Sequence, residues 1–418
     1  FRDDIEKFIE YNLVDVELVV DLDKKLQFID LARAICHAGH VFYEDFLFSS
    51  KWLEGAILTF LRRSGRVAPN KPKRKQRNDD GSDGEGKFVG AYVKQPKPGL
   101  YKWVYDLDLT SLYPSIIMSI NISPETKIGK VKGYTAESHM KNGGRESKPM
   151  PKENFTNFIE QQKLSIASNG VLYSQDRVGV IPEILNVWFD KRVEYKNEMK
   201  KYGKAGNDKL YKFYSQRQLV QKIMLNSLYG VLGLPSFRFY DIDNAEAVTL
   251  TGQTVIKTTE MIANQYYIKN IGKEADYNVY TDTDSVFYEA APLVRARNPQ
   301  IDVTSDEQMI PAILSVAQEV EKHINKVYDT MALKMFNIHS HRFDIKQETI
   351  AKGGFWVSKK RYAQWIINDN TVDCDKLDVK GLDVKRSSFP TYFKEVMSTV
   401  LMDILKDENK DKIDEYIL

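Results

Sequence analysis

The chain has 418 residues, 42% of them hydrophobic, which is enough for two or three domains with their own cores and excludes a disordered polymer. Its 60 Lys and Arg nearly balance 58 Asp and Glu, so a uniformly basic coat is excluded and any anion-binding surface must be local. Cys36 and Cys374 are the only cysteines; with no Cys-x-x-Cys or His/Cys cluster they exclude structural zinc and point to a reducing compartment.

No apolar run approaches the ~20 residues that span a bilayer, so no membrane partner is expected. Phe1-Arg-Asp-Asp reads as the interior of a longer chain, not as an initiator or a signal peptide. Residues 5–35 carry apolar positions at helical spacing and predict an amphipathic helix or two, and residues 51–63 predict another. Lys71, Lys73, Arg74, Lys75 and Arg77 precede an acidic, Gly-rich run, and the stretch reads as a solvated loop. Residues 100–108 turn aromatic and β-branched and predict a strand, and Pro114 then opens a helix. Residues 130–155 read as a surface excursion, with Asn169-Gly170 and Val178-Gly179 as turns of a small sheet. Residues 183–203 and 208–230 predict a helical hairpin turning at 202–207. Between Glu183 and Lys222 it carries 10 Lys/Arg against 5 Asp/Glu, a net of +5; such an excess usually marks a solvated surface, and the neighbouring motifs tilt the reading to an anion site. Further helices are predicted at 251–270 and 307–335, with strands at 277–288 between them and a sheet covered on one side.

Chemistry concentrates in three places. Asp282 and Asp284 stand two residues apart at a hairpin tip, Tyr280-Thr-Asp-Thr-Asp-Ser285. On a strand, residues i and i+2 share a face, and a divalent cation makes two such carboxylates compatible. Taken alone the motif reads more readily as an Asx turn, and the rest of the chain must decide. Asp108 adds a carboxylate at a strand end, before a turn whose amides can meet an anion; Asp106 shares its face but reads as salt-bridged or solvent-facing. Two Mg²⁺ held by carboxylates suit phosphoryl transfer. On the helical hairpin, Gln218, Lys222, Asn226 and Tyr229 share one stripe, and Arg192 and Lys196 are i and i+4 on the first helix. Converging guanidinium and ammonium groups would clamp a triphosphate.

Asp108 to Ile117, Lys222 to Gly230, Tyr280 to Ser285 and Lys359-Lys-Arg-Tyr362 occur in that order. Together the four motifs resemble family B DNA polymerases, and within that family the replicative enzymes of T4-like bacteriophages. The resemblance implies an α+β right-hand architecture with an antiparallel-sheet palm and helical-hairpin fingers. It places residues 1–27 as a remnant of a proofreading exonuclease domain and 28–87 as a helical segment and linker of an N-terminal domain. Residues 88–180 and 232–384 become the palm, 181–231 the fingers and 385–418 the start of the thumb.

By resemblance, Asp108 and Asp284 bridge two Mg²⁺, with Mn²⁺ able to substitute, while Asp282 supports the site and the Leu109 backbone joins it. Leu109, Thr110, Ser111 and Leu112 present backbone to metal and phosphates, and Tyr113 is a steric gate against a ribose 2'-hydroxyl. Arg192, Lys196, Lys222 and Asn226 hold the dNTP, with Lys222 as proton donor to pyrophosphate, and Tyr229 and Gly230 lie against the nascent base pair. Lys359, Lys360, Arg361 and Tyr362 track the primer-template duplex, and Glu348 resembles an auxiliary carboxylate. The implied activity is template-directed addition of dNMP to a primer. Implied partners are primer-template DNA, dNTPs and, for a full-length protein, a sliding clamp and a single-strand-binding protein, in the cytoplasm of an infected host cell.

Two departures stand out. Thr281 replaces the family's Gly before the first aspartate, which a strand conformation tolerates unless the position needs φ > 0. Tyr11 and Asp15 resemble one exonuclease motif whose acidic partners are missing from the sequence, so a proofreading site is not expected. Rival readings are a non-catalytic nucleic-acid-binding fragment and an RNA-dependent polymerase or reverse transcriptase.

Overall fold

A computed structural model describes residues 4–71, 89–141 and 152–406. The chain divides into two compact units, one of Phe1–Gly86, Ser123–Glu125 and Val178–Ala245, the other of Lys87–Ile122, Thr126–Arg177 and Glu246–Leu418. Lys73, Arg74, Lys75 and Arg77 of the basic tract, the start Phe1-Arg-Asp and residues 407–418 lie outside the described residues.

The first unit is helical. Asp4 caps α1 (Ile5–Leu26) by accepting the Lys7 N–H, and α2 (Phe28–Gly39) and α3 (Ser49–Arg63) follow. The expected amphipathic stretch is thus two helices, but α1 buries none of its residues. Lys71 pairs with Glu54 at 3.1 Å, and Glu54 also takes Arg238 at 2.9 Å.

Long helices α7 (Val180–Lys204) and α8 (Asp208–Leu232) form the predicted hairpin of this unit. Gly206 turns the chain at φ 68°, and the Asn207 side chain accepts the Leu210 N–H at 3.1 Å, capping α8. Val220, Gln221, Met224, Leu225, Leu228, Val231 and Leu232 of α8 are buried. The same 3.6-residue period leaves Lys222, Asn226 and Gly230 exposed. Val178-Gly179, expected as a turn of a sheet, instead leads into α7, with Gly179 at its N-cap.

The second unit is α+β. A six-stranded antiparallel sheet has the order β5-β6-β1-β7-β8-β9, where β1 is Gly99–Leu109, β5 Asn278–Asp282, β6 Ser285–Glu289, β7 Ile345–Ser358, β8 Arg361–Asp369 and β9 Val372–Lys380. Alternation along β1 sends Tyr105 and Leu107 to one face and Asp106 and Asp108 to the other. On the first face the hydroxyl of Tyr267, from α9 (Ile242–Ile271), donates to that of Tyr105 at 3.0 Å. Tyr288 donates to the Glu260 carbonyl at 2.8 Å. Asn325 of α11 (Asp306–Phe336) holds both backbone groups of Ile345 at 3.0 Å. Val104, Tyr280, Phe287, Trp356 and Tyr362 cluster together, with Trp356 and Tyr362 stacked at 5.7 Å. Each such ring contributes about 1.5–3 kcal/mol through burial.

Several segments depart from expectation. The helix expected at 251–270 begins at Ile242, and the meander β7–β9 was not anticipated. The 130–155 excursion holds α5 (Ala136–Lys141) and the start of α6 (Lys152–Gln161), with 142–151 outside the described residues. Beside it lies the predicted small sheet, β2-β4-β3, from Lys127–Lys130, Val171–Ser174 and Leu164–Ile166, with Gly170 turning at φ 82°. At the other end α12 (Thr391–Lys406) lays Leu401 and Leu405 on Ala363 and Val379.

Candidate active site

Strand register builds the acidic site. Asp108 of β1 lies opposite Ser285 of β6, and Ser285 is in turn the partner of Asp282 on β5. The Ser285 Oγ donates to Asp108 Oδ2 at 2.7 Å. Asp284 belongs to the β5–β6 turn: Thr283 there takes φ 60°, and Asp284 N–H closes onto the Asp282 carbonyl at 2.7 Å. The Asp284 carbonyl then accepts Leu109 N–H at 2.9 Å, which locks the turn against the end of β1.

Electrostatics separate the three carboxylates. Burial pushes Asp108 up to about 7, reinforced by the Asp284 charge and opposed by the Ser285 hydroxyl. Burial likewise pushes Asp284 up to about 6, opposed by its own backbone N–H and reinforced by Asp282 and Glu348. Among the described residues no ion pair neutralises either. Asp282 has its own cation: Lys360 Nζ stands 2.8 and 3.1 Å from its two oxygens, and Tyr280 and Thr283 donate to it at 3.2 and 3.0 Å. Two oxygen donor groups that repel each other suit a hard divalent ion such as Mg²⁺. Among the described residues no group of three or more His, Cys, Asp or Glu forms a ready-made metal cage.

Asp106 corrects an expectation. It is not solvent-facing, and among the described residues it has no salt bridge: it is buried and accepts the Thr349 N–H at 2.6 Å, and burial pushes it up to about 6. Thr281 keeps a strand backbone and is fully buried, and its Oγ1 donates to Glu260 Oε2 at 2.9 Å. Lys94 binds that same Glu260 at 2.8 Å and Asp276 at 2.9 Å. Sequence reasoning missed this network because its members are up to 182 residues apart.

Beyond Asp108, Leu109 and Thr110 spend their amides on the carbonyls of Asp284 and Asp344, each at 2.9 Å. Of the backbone groups expected to meet metal and phosphates, these two N–H groups are therefore already engaged. Ser111 takes φ 51° at the N-cap of α4 (Leu112–Ile120), where Leu112 is buried and Tyr113 half-buried. Glu348 is exposed on β7. Lys359 and Lys360, exposed with Arg361, make the β7–β8 turn, and Lys360 takes φ 59°. Arg361 reaches Asp383 at 3.5 Å. Alternation turns Tyr362 inward, so its ring is part of the core beneath this turn and only 8% exposed.

In the helical unit, Arg192 on α7 is half-buried, and burial holds its guanidinium below its usual range. Lys196 on α7 and Lys222 and Asn226 on α8 are exposed; Tyr229 and Gln218 are half-buried, and Gly230 is exposed.

The chain matches the model of DNA polymerase family B over residues 48–418. It is 27% identical to the DNA-directed DNA polymerase of Escherichia phage RB69, covering 96% of this chain and 48% of that protein. With that of Enterobacteria phage T4 the identity is also 27%, covering 98% and 50%. The DNA polymerase of Thermococcus gorgonarius is 26% identical, covering 96% and 42%. The chain therefore spans about half the length of the phage relatives it matches. With the ordered motifs and a match over most of its length, the chain belongs to DNA polymerase family B.

Proposed function

We propose that this chain carries the polymerising site of a template-directed DNA polymerase, in which a primer 3'-hydroxyl attacks the α-phosphate of a dNTP and pyrophosphate leaves. The observation that carries the reading is the Asp108–Asp284 pair, two carboxylates at adjoining strand and turn ends, both raised and neither ion-paired among the described residues. The residues fit a pair of divalent ions, Mg²⁺ with Mn²⁺ as substitute, which when bound neutralise phosphate charge and lower the pKa of the attacking hydroxyl. Asp108 and Asp284 supply the oxygens, joined by the Leu109 carbonyl, since its amide is already engaged. Asp282 holds Lys360 in place beside them. Phosphate contacts from this loop fall to the first turn of α4, Ser111 to Tyr113, and the Tyr113 ring lies under the sugar and excludes a ribose.

The six-stranded sheet is the palm and α7–α8 the fingers, with α12 opening the thumb. Arg192, Lys196, Lys222 and Asn226 bind the triphosphate, and Lys222 gives its proton to the leaving pyrophosphate. Tyr229 and Gly230 lie against the nascent pair. Lys359, Lys360 and Arg361 meet the duplex backbone without regard to sequence, with Tyr362 supporting their turn from below. In a full-length protein a sliding clamp and a single-strand-binding protein would complete the apparatus, in the cytoplasm of an infected host. No helix among the described residues is long and apolar enough to cross a membrane.

Primer extension on a primed DNA template with Mg²⁺ and four dNTPs tests the assignment. Wild type extends and Asp284→Asn does not; equal extension by both, or none by either, removes it. Parallel arms with an RNA template and with NTPs separate a DNA polymerase from a reverse transcriptase or an RNA polymerase.

A further inference from the structure

Gly252 lies in the interior of α9, a 30-residue helix, where glycine is intrinsically worse than alanine. Its backbone is helical and needs no special conformation, so the reason for a missing side chain must be spatial. A Cβ at this position would stand 3.1 Å from Tyr113 Cε1, 3.5 Å from Ile116 Cδ1 and 3.6 Å from Leu112 Cδ2. The last two are ordinary van der Waals contacts; the first is not. The one neighbour a side chain would press is therefore the edge of the Tyr113 ring.

Leu112 and Ile116 are buried beside it, whereas Tyr113 is half-buried. A ring pressed from α9 thus has only its open side to move toward. We propose that Gly252 is a positioning residue for Tyr113: by letting the ring settle back against α9, it sets the room left for the sugar and so the discrimination between deoxyribo- and ribonucleoside triphosphates. The inference rests on the reading of Tyr113 as the ring beneath the sugar. A merely structural glycine would alter stability and leave the sugar preference untouched.

The test is equilibrium binding of a dNTP and the matching rNTP to the chain on a dideoxy-terminated primer-template with Mg²⁺, read as the ratio of the two Kd values. Gly252→Ala moves the ring forward by a few tenths of an ångström; overpacking of that size weakens dNTP binding about two- to threefold and rNTP binding about tenfold or more, so the ratio rises. Tyr113→Val lowers the ratio, and adding Gly252→Ala to Tyr113→Val changes it no further, because the pressed ring is gone. An unchanged ratio in Gly252→Ala, with Tyr113→Val still relaxed, overturns the role of Gly252 and leaves that of Tyr113 standing. Failure of Tyr113→Val to relax the ratio, or no nucleotide binding by wild type, overturns both. Should Gly252→Ala alone fail to fold, recovery of folding in the double variant supports the contact, and no recovery overturns it.

Discussion

The hydroxyl of Ser285 donates to Asp108 Oδ2 at 2.7 Å, across a strand pair whose members are 177 residues apart in the chain. A charge-assisted bond of this length fixes one carboxylate oxygen of the pair. We expect Ser285→Ala to slow single-turnover extension about tenfold, since hydrogen bonds to charged groups contribute roughly 1.5–3 kcal/mol. Asp108→Asn is expected to cost about a thousandfold, roughly 4 kcal/mol at the transition state. A Ser285→Ala rate equal to wild type would leave the bond without a catalytic part.

Metal and pH act on the same pair. In the folded chain Asp108 rises from 3.8 to about 7 and Asp284 to about 6, so the metal-free fold binds these protons more tightly than the unfolded chain does. Their contribution to stability is full below the unfolded value and is lost as pH rises through about 6 and then about 7. In EDTA, Tm is expected to fall over that window, and Asp108→Asn to flatten the fall. Mg²⁺ requires the ionised forms, so it should raise Tm more at about pH 8 than at about pH 6. A Mg²⁺-induced shift that is the same at both would count against the pair as the metal site.

The hydroxyl of Thr281 on β5 bonds Glu260 of α9. Thr281→Gly loses that bond and loosens the strand, at an expected cost of about 1–2 kcal/mol in chemical denaturation. Thr281→Ser should keep most of the stability. If both variants unfold at the wild-type midpoint, the Glu260 bond contributes nothing.

Asp282 holds Lys360 through two contacts, 2.8 and 3.1 Å. Asp282→Asn releases that ammonium more fully to the duplex, and we expect primer-template binding to tighten and its log–log salt slope to steepen by a fraction of the about 0.9 that one full phosphate contact contributes. A slope unchanged in Asp282→Asn and in Lys360→Ala would take Lys360 off the duplex.

Lys222 is assigned both counter-charge and proton donor. Lys222→Arg keeps the charge but cannot yield a proton near neutral pH, so single-turnover extension should slow about tenfold or more, within the range of general-acid contributions. Full rate in this variant would restrict Lys222 to charge alone.

Local rules made part of this legible. Asp282 and Asp284 advertise themselves through spacing, although a turn at Thr283 and not a shared strand face sets them; the α7–α8 hairpin shows through its 3.6-residue period and Gly206-Asn207, and Thr281 could be read as strand because nothing there asks for a left-handed backbone. What stayed hidden depends on pairing at a distance. Asp106 reads as salt-bridged or solvent-facing until Thr349, 243 residues away, brings its amide. Lys360 looked free for DNA until the β7–β8 turn carried it to Asp282, 78 residues back. The β7–β9 meander escaped because Gly353-Gly354 and alternating charges dilute its strand pattern, and register, not propensity, holds it.

Strand β1 lies between β6 and β7, so Asp108 is gripped by segments made about 180 and 240 residues after it. Loop closure over such spans is slow, and synthesis runs from the N-terminus at about 5–20 residues per second. During translation the first carboxylate therefore exists for many seconds without its partners. The acidic pair forms only after β6 and β7 have been made, so a product interrupted before them would carry Asp108 and none of the chemistry.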